Sequence, residues 1–212
     1  MKIKLLTHTP NLIETCWAGA RTCYSSSTPS ELFEKAMSED KNKMVNFLVS
    51  LWGKKHFSIF EHNAFTFSIE GVSRTLMAQI TRHRIGISFS IQSQRFLSEQ
   101  SEKNGGQFEY VIPPSISENI VISDLYHRLM KTTQNTYDIL IESGIKPEDA
   151  RFVLGGGAST NMTMTVNLRS FGDLWNKRFL ETHAQWEVRE MVEKMRDEIV
   201  EVESWTERLF IK

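Results

Sequence analysis

Cysteine is scarce in this sequence. Of 212 residues only two, Cys16 and Cys23, carry thiols. That is too few for a disulfide framework, or by themselves for a four-ligand zinc site. Long apolar runs are missing as well: nothing approaches the roughly 20 residues that a membrane-spanning helix needs. The opening Met1-Lys2-Ile3-Lys4-Leu5-Leu6-Thr7-His8 holds an apolar stretch far too short for a secretory leader. Neither charge sign is in excess, since 25 Lys+Arg stand against 26 Asp+Glu, a formal net charge of −1. That balance argues against a general nucleic-acid binder. There is no internal repeat and no low-complexity linker. The expectation is a reduced, cytoplasmic protein with no membrane and no nucleic acid among its partners. What is present, 40% hydrophobic and 24% charged residues, can offset chain entropy and fits a single domain over residues 1–212.

The local patterns predict several elements. Residues 2–7 fit a short first strand. Thr28-Pro29-Ser30-Glu31 reads as a helix start, with Thr28 as N-cap, Pro29 in the first turn and Glu31 closing a capping box. A second helix follows from about Asp40, with Met44, Phe47, Leu48 and Leu51 at helical spacing and Gly53 as a stop. Phe65, Phe67 and Ile69 alternate with polar residues, as do Met162, Met164 and Val166, so both segments read as strands. Ser73 can cap a helix bearing Leu76, Met77 and Ile80. A longer helix is expected over roughly 123–143, ending at Gly144, and a short one from Pro147 through Leu154. The polar stretch 100–107 reads as an exposed loop. The C-terminal third reads as one long amphipathic helix, with Trp186, Met191, Met195, Ile199 and Val202 on its apolar side. Helices outnumber strands without regular alternation, so the fold class is α+β, a mixed or antiparallel sheet packed with helices.

Charge is unevenly placed. Between Gly71 and Ser98 there is no Asp or Glu, yet Arg74, Arg82, Arg84 and Arg95 fall there together with His83. An ordinary basic cluster is a solvated face. Here Arg82-His83-Arg84 directly follows an apolar helix. The next segment mixes apolar residues with Ser88, Ser90, Gln92 and Ser93. Fixed cations beside neutral hydrogen-bonding groups are the chemistry of a polar pocket wall, and arginine grips phosphate with a planar pair of donors.

Arg82-His83-Arg84, eight intervening residues and then Ser93-Gln94-Arg95-Phe96 resembles the signature of the flavin-dependent thymidylate synthases. Further segments resemble that family in its order. They are Ala20-Arg21-Thr22-Cys23-Tyr24, His56-Phe57-Ser58-Ile59-Phe60-Glu61-His62, Asp149-Ala150-Arg151-Phe152-Val153-Leu154, Thr165-Val166-Asn167-Leu168-Arg169-Ser170, and Arg178 followed by His183-Ala184-Gln185-Trp186-Glu187. The resemblance implies methylation of dUMP to dTMP. Methylenetetrahydrofolate would give the carbon and FAD reduced by NADPH the hydride. It also implies a homotetramer whose active sites form between subunits.

Carried over residue by residue, the resemblance places Ser58, Arg82, His83, Arg84, Ile91, Asn167, Leu168, Arg169 and Asp173 at FAD. Two flanking cations favour a neutral His83 ring. For dUMP it places Gln79, Ile80, Thr81, Arg82, Gln92, Ser93, Gln94, Arg95, Arg151 and Arg178. Arg178 matches the residue that stabilises negative charge on the uracil ring, a preference for the reactive form. The plainer readings are a satisfied core histidine for His83, a cap for Ser58 and Asn167, a surface cation for Arg169, and a salt bridge to Glu181 for Arg178.

No nucleophile stands out. Ser93 has only His83 as a nearby base in sequence, and neither cysteine sits in a nucleophilic context. His183 and Glu187, four apart on an expected helix, lack a third ligand, so no metal is assigned. Gly155-Gly156-Gly157 lacks phosphate-loop spacing and reads as a flexible turn. The chain departs from the family pattern at Ile91, usually Glu, at Phe96, usually Tyr, and at Gly155, usually Pro. Asp173 is usually Asn or His, and one extra residue precedes His183. The departures at Ile91 and Asp173 leave open a flavin or nucleotide oxidoreductase without methyl transfer. A nucleic-acid module built on 82–95 is the reading from another class.

Overall fold

The computed structural model describes residues 1–181 and 183–211. Among the described residues there are four strands and nine α-helices. The strands are β1 (Lys2–His8), β2 (Phe65–Ser73), β3 (Ile87–Ile91) and β4 (Ser159–Val166). The helices are α1 (Leu12–Thr22), α2 (Pro29–Ser38), α3 (Lys41–Gly53), α4 (Arg74–Ile80), α5 (Pro114–Ser117), α6 (Ile120–Glu142), α7 (Pro147–Ala150), α8 (Leu168–Trp175) and α9 (Trp186–Val202). The strands form one sheet in the order β1-β2-β4-β3. Pairing is antiparallel. Thr66 meets Thr165 while the Gly71 amide meets the Asn161 side chain, so partner numbers fall on one strand as they rise on the other. The class is α+β, as expected. Among the described residues no helix is long and apolar enough to cross a membrane.

The capping signals act as expected. The Glu31 amide donates to Thr28 Oγ1 at 3.3 Å, and the Thr28 amide donates to Glu31 Oε2 at 2.8 Å. Asp40 caps α3 by accepting from the amides of Asn42 and Lys43. Ser73 caps α4 by accepting from Leu76. The 2.0 period of Phe65, Phe67 and Ile69 puts all three side chains in the core.

Three expectations are corrected. The C-terminal third is not one helix: α8 runs on into a π-helical turn at Asn176–Leu180, and α9 begins afresh at Trp186 behind the Gln185 cap. Val202, at the end of α9, is exposed rather than packed. His183 therefore precedes α9 and shares no helix face with Glu187. The Gly155–Gly157 turn is fixed, because Thr75 N–H donates to Gly156 O at 2.9 Å and Val111 N–H to Gly157 O at 2.8 Å. A Cβ at Gly156 or Gly157 would collide with the hydroxyl of Thr75 or Tyr126.

The chain divides into two compact units, neither of them a continuous stretch. The first comprises 1–2, 69–82 and 90–162, and the second 3–68, 83–89 and 163–212. In the first, Phe108, Met130 and Ala158 form a small core with Tyr110, Tyr126 and Leu154 around it. The polar stretch 98–108 is tied down there. Gln134, buried on α6, receives the Phe108 N–H at 2.6 Å and donates to Glu99 O and Asp138 Oδ1, both at 2.9 Å. In the second, α1, α2 and α3 meet around Trp17, Ala18, Leu32, Ala36 and Met44. Phe210 lies edge-on to Trp52 and Phe171 there.

Candidate functional site

In the first unit the chain turns sharply after β3. Gln92 N–H donates to Asn161 O at 3.0 Å, and Asn161 Nδ2 donates to Gln92 Oε1 at 3.0 Å. Arg74, the first residue of α4, donates from Nη2 to Gln92 O at 2.9 Å. The amides of Phe96 and Leu97 then donate to Ser93 O, and the Arg95 amide donates to Ser93 Oγ at 3.2 Å. The Ser93 hydroxyl is thus the acceptor that closes the turn. Gln94 is buried, and its side chain lies close enough to the Glu99 carboxyl to help hold it down.

Three guanidinium groups gather around this turn. Arg95 Nε lies 2.7 Å from Glu148 Oε2, and Arg151 Nε donates to the backbone oxygen of the same Glu148 at 3.0 Å. Arg74 is half-buried and lies within the field of Arg151. Burial holds its guanidinium below the usual value, Glu99 opposes this, and Arg151 adds to it. Burial likewise pushes the Glu99 carboxyl up, with Arg74 pulling against it. A cavity of about 580 Å³ opens beside the turn, its walls including Gln92, Phe96, Glu99, Glu109, Thr160 and Asn161. At the end of α4, Ile80 is fully buried, so only its backbone can meet a ligand. Thr81 Oγ1 donates to Met77 O, Gln79 is half-buried, and Arg82 is exposed. Ile91, half-buried, ends β3.

In the second unit, Arg178 lies on the π-helical turn and donates from Nε to His83 Nε2 at 3.0 Å. The plainer reading of Arg178, a salt bridge to Glu181, is not among the ion pairs of the described residues. Arg84 is exposed and also has no ion pair among them. Gly86, at φ 64, brings its backbone against Asn167 and Ser170, where any Cβ would collide with both side chains. The Asn167 amide donates to Gly86 O, and Asn167 Oδ1 accepts from the Ser170 amide at 2.8 Å, which makes Asn167 the N-cap of α8. Leu168 is fully buried, and Ser58 is exposed on the 3-10 turn Phe57–Glu61. Arg169 forms an ion pair with Glu61 from that same turn. The hydrogen bond and charge of Glu61 hold the Arg169 guanidinium above its usual value, and Asp173 adds to the effect. Asp173 therefore answers a cation of its own helix.

The model of one family, described as thymidylate synthase complementing protein, matches residues 4–203. A flavin-dependent thymidylate synthase of Geobacter sulfurreducens is 37% identical over 195 residues, 92% of this chain and 80% of that protein. One from Pyrococcus horikoshii is 38% identical over 199 residues, covering 94% and 79%. The chain belongs to the flavin-dependent thymidylate synthase family. In fold it matches the UMP/dUMP methylase PolB of Streptomyces cacaoi, solved with 5-Br dUMP. The TM-score is 0.79 at 20% identity, over 99% of this chain and 94% of that one. It also matches thymidylate synthase X of Helicobacter pylori, solved with FAD and dUMP, with TM-score 0.73 and 21% identity over 99% and 97%.

The two thiols of this methyltransferase-family chain lie in different surroundings. Cys16 is buried, accepts from Asn63 Nδ2 at 3.0 Å, and has its pKa pushed up to about 12 by burial. Cys23 is exposed beside the Gly19 carbonyl. The Ala20-Arg21 segment of the family pattern has a packing role here, since Arg21 lies over the rings of Trp17 and Phe47. Sequence reasoning missed Glu148 and Glu99. Glu148 had the look of an ordinary first-turn acid on α7, and only the folded chain shows that two arginines share it. Arg74 stood out as a basic residue but not as the anchor of the Gln92 turn.

Proposed function

We propose that this chain methylates dUMP to dTMP, with methylenetetrahydrofolate as carbon donor and NADPH-reduced FAD as hydride source, and that residues 1–212 act as one catalytic domain. The observation that carries the reading is the meeting of Arg95 and Arg151 at Glu148, with Arg74 in their field. One exchangeable carboxylate holds Arg95 while Arg151 and Arg74 stand close by, a set of cations matched to a more highly charged phosphate, which would take the carboxylate's place at Arg95. Gln92 and Ser93 shape the turn from which Gln94 and Arg95 would face that phosphate. Gln79, Thr81 and Arg82, with the Ile80 backbone, would meet the nucleoside.

The residues of the second unit fit an anionic flavin nucleotide. Arg84 is exposed, with no ion pair among the described residues, and Ser58 is exposed as well. Asn167 keeps its amide nitrogen for a ligand while its oxygen caps α8. Leu168 can contribute only backbone, and Arg169 and Asp173 enter as a charge-balanced pair. His83 completes this group; Arg82 and Ile91 are also assigned to FAD. When bound, FAD supplies the hydride. The protein's part is to hold the anions, exclude water and favour the ionised uracil ring, the last through the Arg178 guanidinium.

A homotetramer with inter-subunit active sites is part of the proposal. The outward face of α6 supports it: Ile122, Leu125, Leu129 and Ile139 are all exposed along one stripe. We place the protein in the cytoplasm. The test is release of tritium from dUMP labelled at C5. Release that depends on methylenetetrahydrofolate supports the synthase. NADPH oxidation without release would leave only an oxidoreductase.

A further inference from the structure

We infer that His83 is a positioning residue for Arg178, aiming the guanidinium without neutralising it. This rests on the role of Arg178 proposed above. The Arg178 Nε–H donates to His83 Nε2 at 3.0 Å. An accepting Nε2 carries a lone pair, so the ring is neutral and its proton sits on Nδ1. Guanidinium donors lie in one rigid plane. Fixing the Nε–H edge fixes the plane and leaves the two Nη groups to meet a flat acceptor side by side. A carboxylate in the place of His83 would orient the group equally well but would screen its charge from an ionised substrate. Imidazole provides the first effect without the second.

The backbone around Arg178 is already held. Phe179 stacks on Trp175 with centroids 4.1 Å apart and planes at 14°, and Arg189 lies over the Phe179 ring at 5.0 Å. The stack spans the π-helical turn and leaves the Arg178 side chain as the freedom to be restrained. π turns recur at functional sites. No carboxylate lies within ion-pair distance of Arg178 among the described residues.

The experiment compares His83→Ala, His83→Gln, Arg178→Ala and the double variant His83→Ala/Arg178→Ala in the purified full chain. Glutamine can accept the same hydrogen bond through Oε1. His83→Ala is expected to lower kcat about 10- to 100-fold with KM for dUMP within about twofold, in keeping with loss of orientation alone. His83→Gln recovers most of that loss. The double variant is no slower than Arg178→Ala. All variants are compared at saturating FAD, because His83 is also assigned to the flavin group, so that the loss read in kcat is not a loss of flavin. If His83→Ala does not fold, His83→Phe replaces it. A readout independent of turnover is the Arg178 Nε–H resonance, slow to exchange in the wild type and in His83→Gln and fast in His83→Ala or His83→Phe. Additive losses, no rescue by glutamine, or an unchanged resonance overturn the inference. A wild type that releases no tritium, or a fully active Arg178→Ala, overturns instead the functional reading on which it rests.

Discussion

Arg95 and Glu148 form an ion pair at 2.7 Å, and Arg151 reaches the backbone of the same glutamate. The carboxylate therefore occupies the Arg95 donor that the proposed phosphate needs. The pair is well exposed, and pairs of that kind contribute about 0–1 kcal/mol. Glu148→Gln should tighten dUMP binding by up to about fivefold, with FAD binding unchanged. Isothermal titration of the variant against wild type measures it. Weaker dUMP binding in the variant would show that Glu148 organises the arginines rather than competing for them.

Removing the cation has the opposite sign. Arg95→Ala leaves the turn intact, because the turn is closed by the Arg95 backbone amide on Ser93 Oγ and not by the guanidinium. A hydrogen bond to a charged group is worth about 1.5–3 kcal/mol, so dUMP affinity should fall by about 10- to 150-fold. FAD affinity should move much less. Equal weakening of both ligands would remove Arg95 from the phosphate assignment.

Arg178→Ala should retain FAD and lose turnover by about 10²–10³-fold, the loss typical of a single donor aimed at developing charge. The two readouts are flavin absorbance per chain and tritium release under saturating dUMP. Activity near wild type would end the catalytic role of the residue.

What the sequence made legible was mostly local. The capping box at Thr28 and Glu31 and the Asp40 cap are complete within four residues. The alternations at 65–69 and 162–166 also need no distant partner to be seen. α1 went unseen because Asn11, at φ 52, makes no side-chain cap to announce it. β3 does alternate, with Ile87 buried between exposed neighbours, but its serines drew attention as a pocket wall. α8 went unseen as a separate element because the C-terminal third read as one helix, although the plainer reading of Asn167 as a cap is what the structure shows. The break at Asn176–Leu180 was invisible for a different reason: a π turn shifts helical register without any glycine or proline to mark it. Within the candidate site, the arginines were legible by residue type. Their anions Glu148 and Glu61 were not, since each pairing closes over more than fifty residues of chain.

Glu99 makes a prediction in pH. Burial raises its carboxyl, partly offset by Arg74. The folded chain therefore binds this proton more tightly than the unfolded chain. The associated stability is complete below the unfolded value and is lost as pH rises through the folded one. Glu99→Gln cannot titrate. The melting temperature of the variant should thus gain on wild type as pH rises from about 4 to about 7, by about 2–4 °C for each kcal/mol relieved. A difference that stays flat over that range would mean that the Glu99 carboxylate is well solvated or fully compensated in the folded chain.

The last prediction concerns α6. Its inner face buries Met130, Gln134 and Tyr137, while Ile122, Leu125, Leu129, Thr132, Thr136 and Ile139 follow one another outside in steps of three and four. That spacing is the seam of a helix that packs against another helix. The two threonine hydroxyls donate back to Arg128 O and Thr132 O, so the seam presents their methyl groups and not unsatisfied polar atoms. Leu125 and Leu129 are 57% and 56% exposed in the single chain, an unfavourable state for a stripe this long unless a second copy covers it. Leu125→Glu combined with Leu129→Glu puts two like charges into that contact. Sedimentation velocity should show fewer copies per particle than in wild type, and turnover should fall with them if the active sites form between subunits. The change lies on the face opposite Met130, so the circular-dichroism spectrum of the chain should not move. A variant that sediments as wild type would place the subunit contact elsewhere and leave the α6 stripe without an occupant.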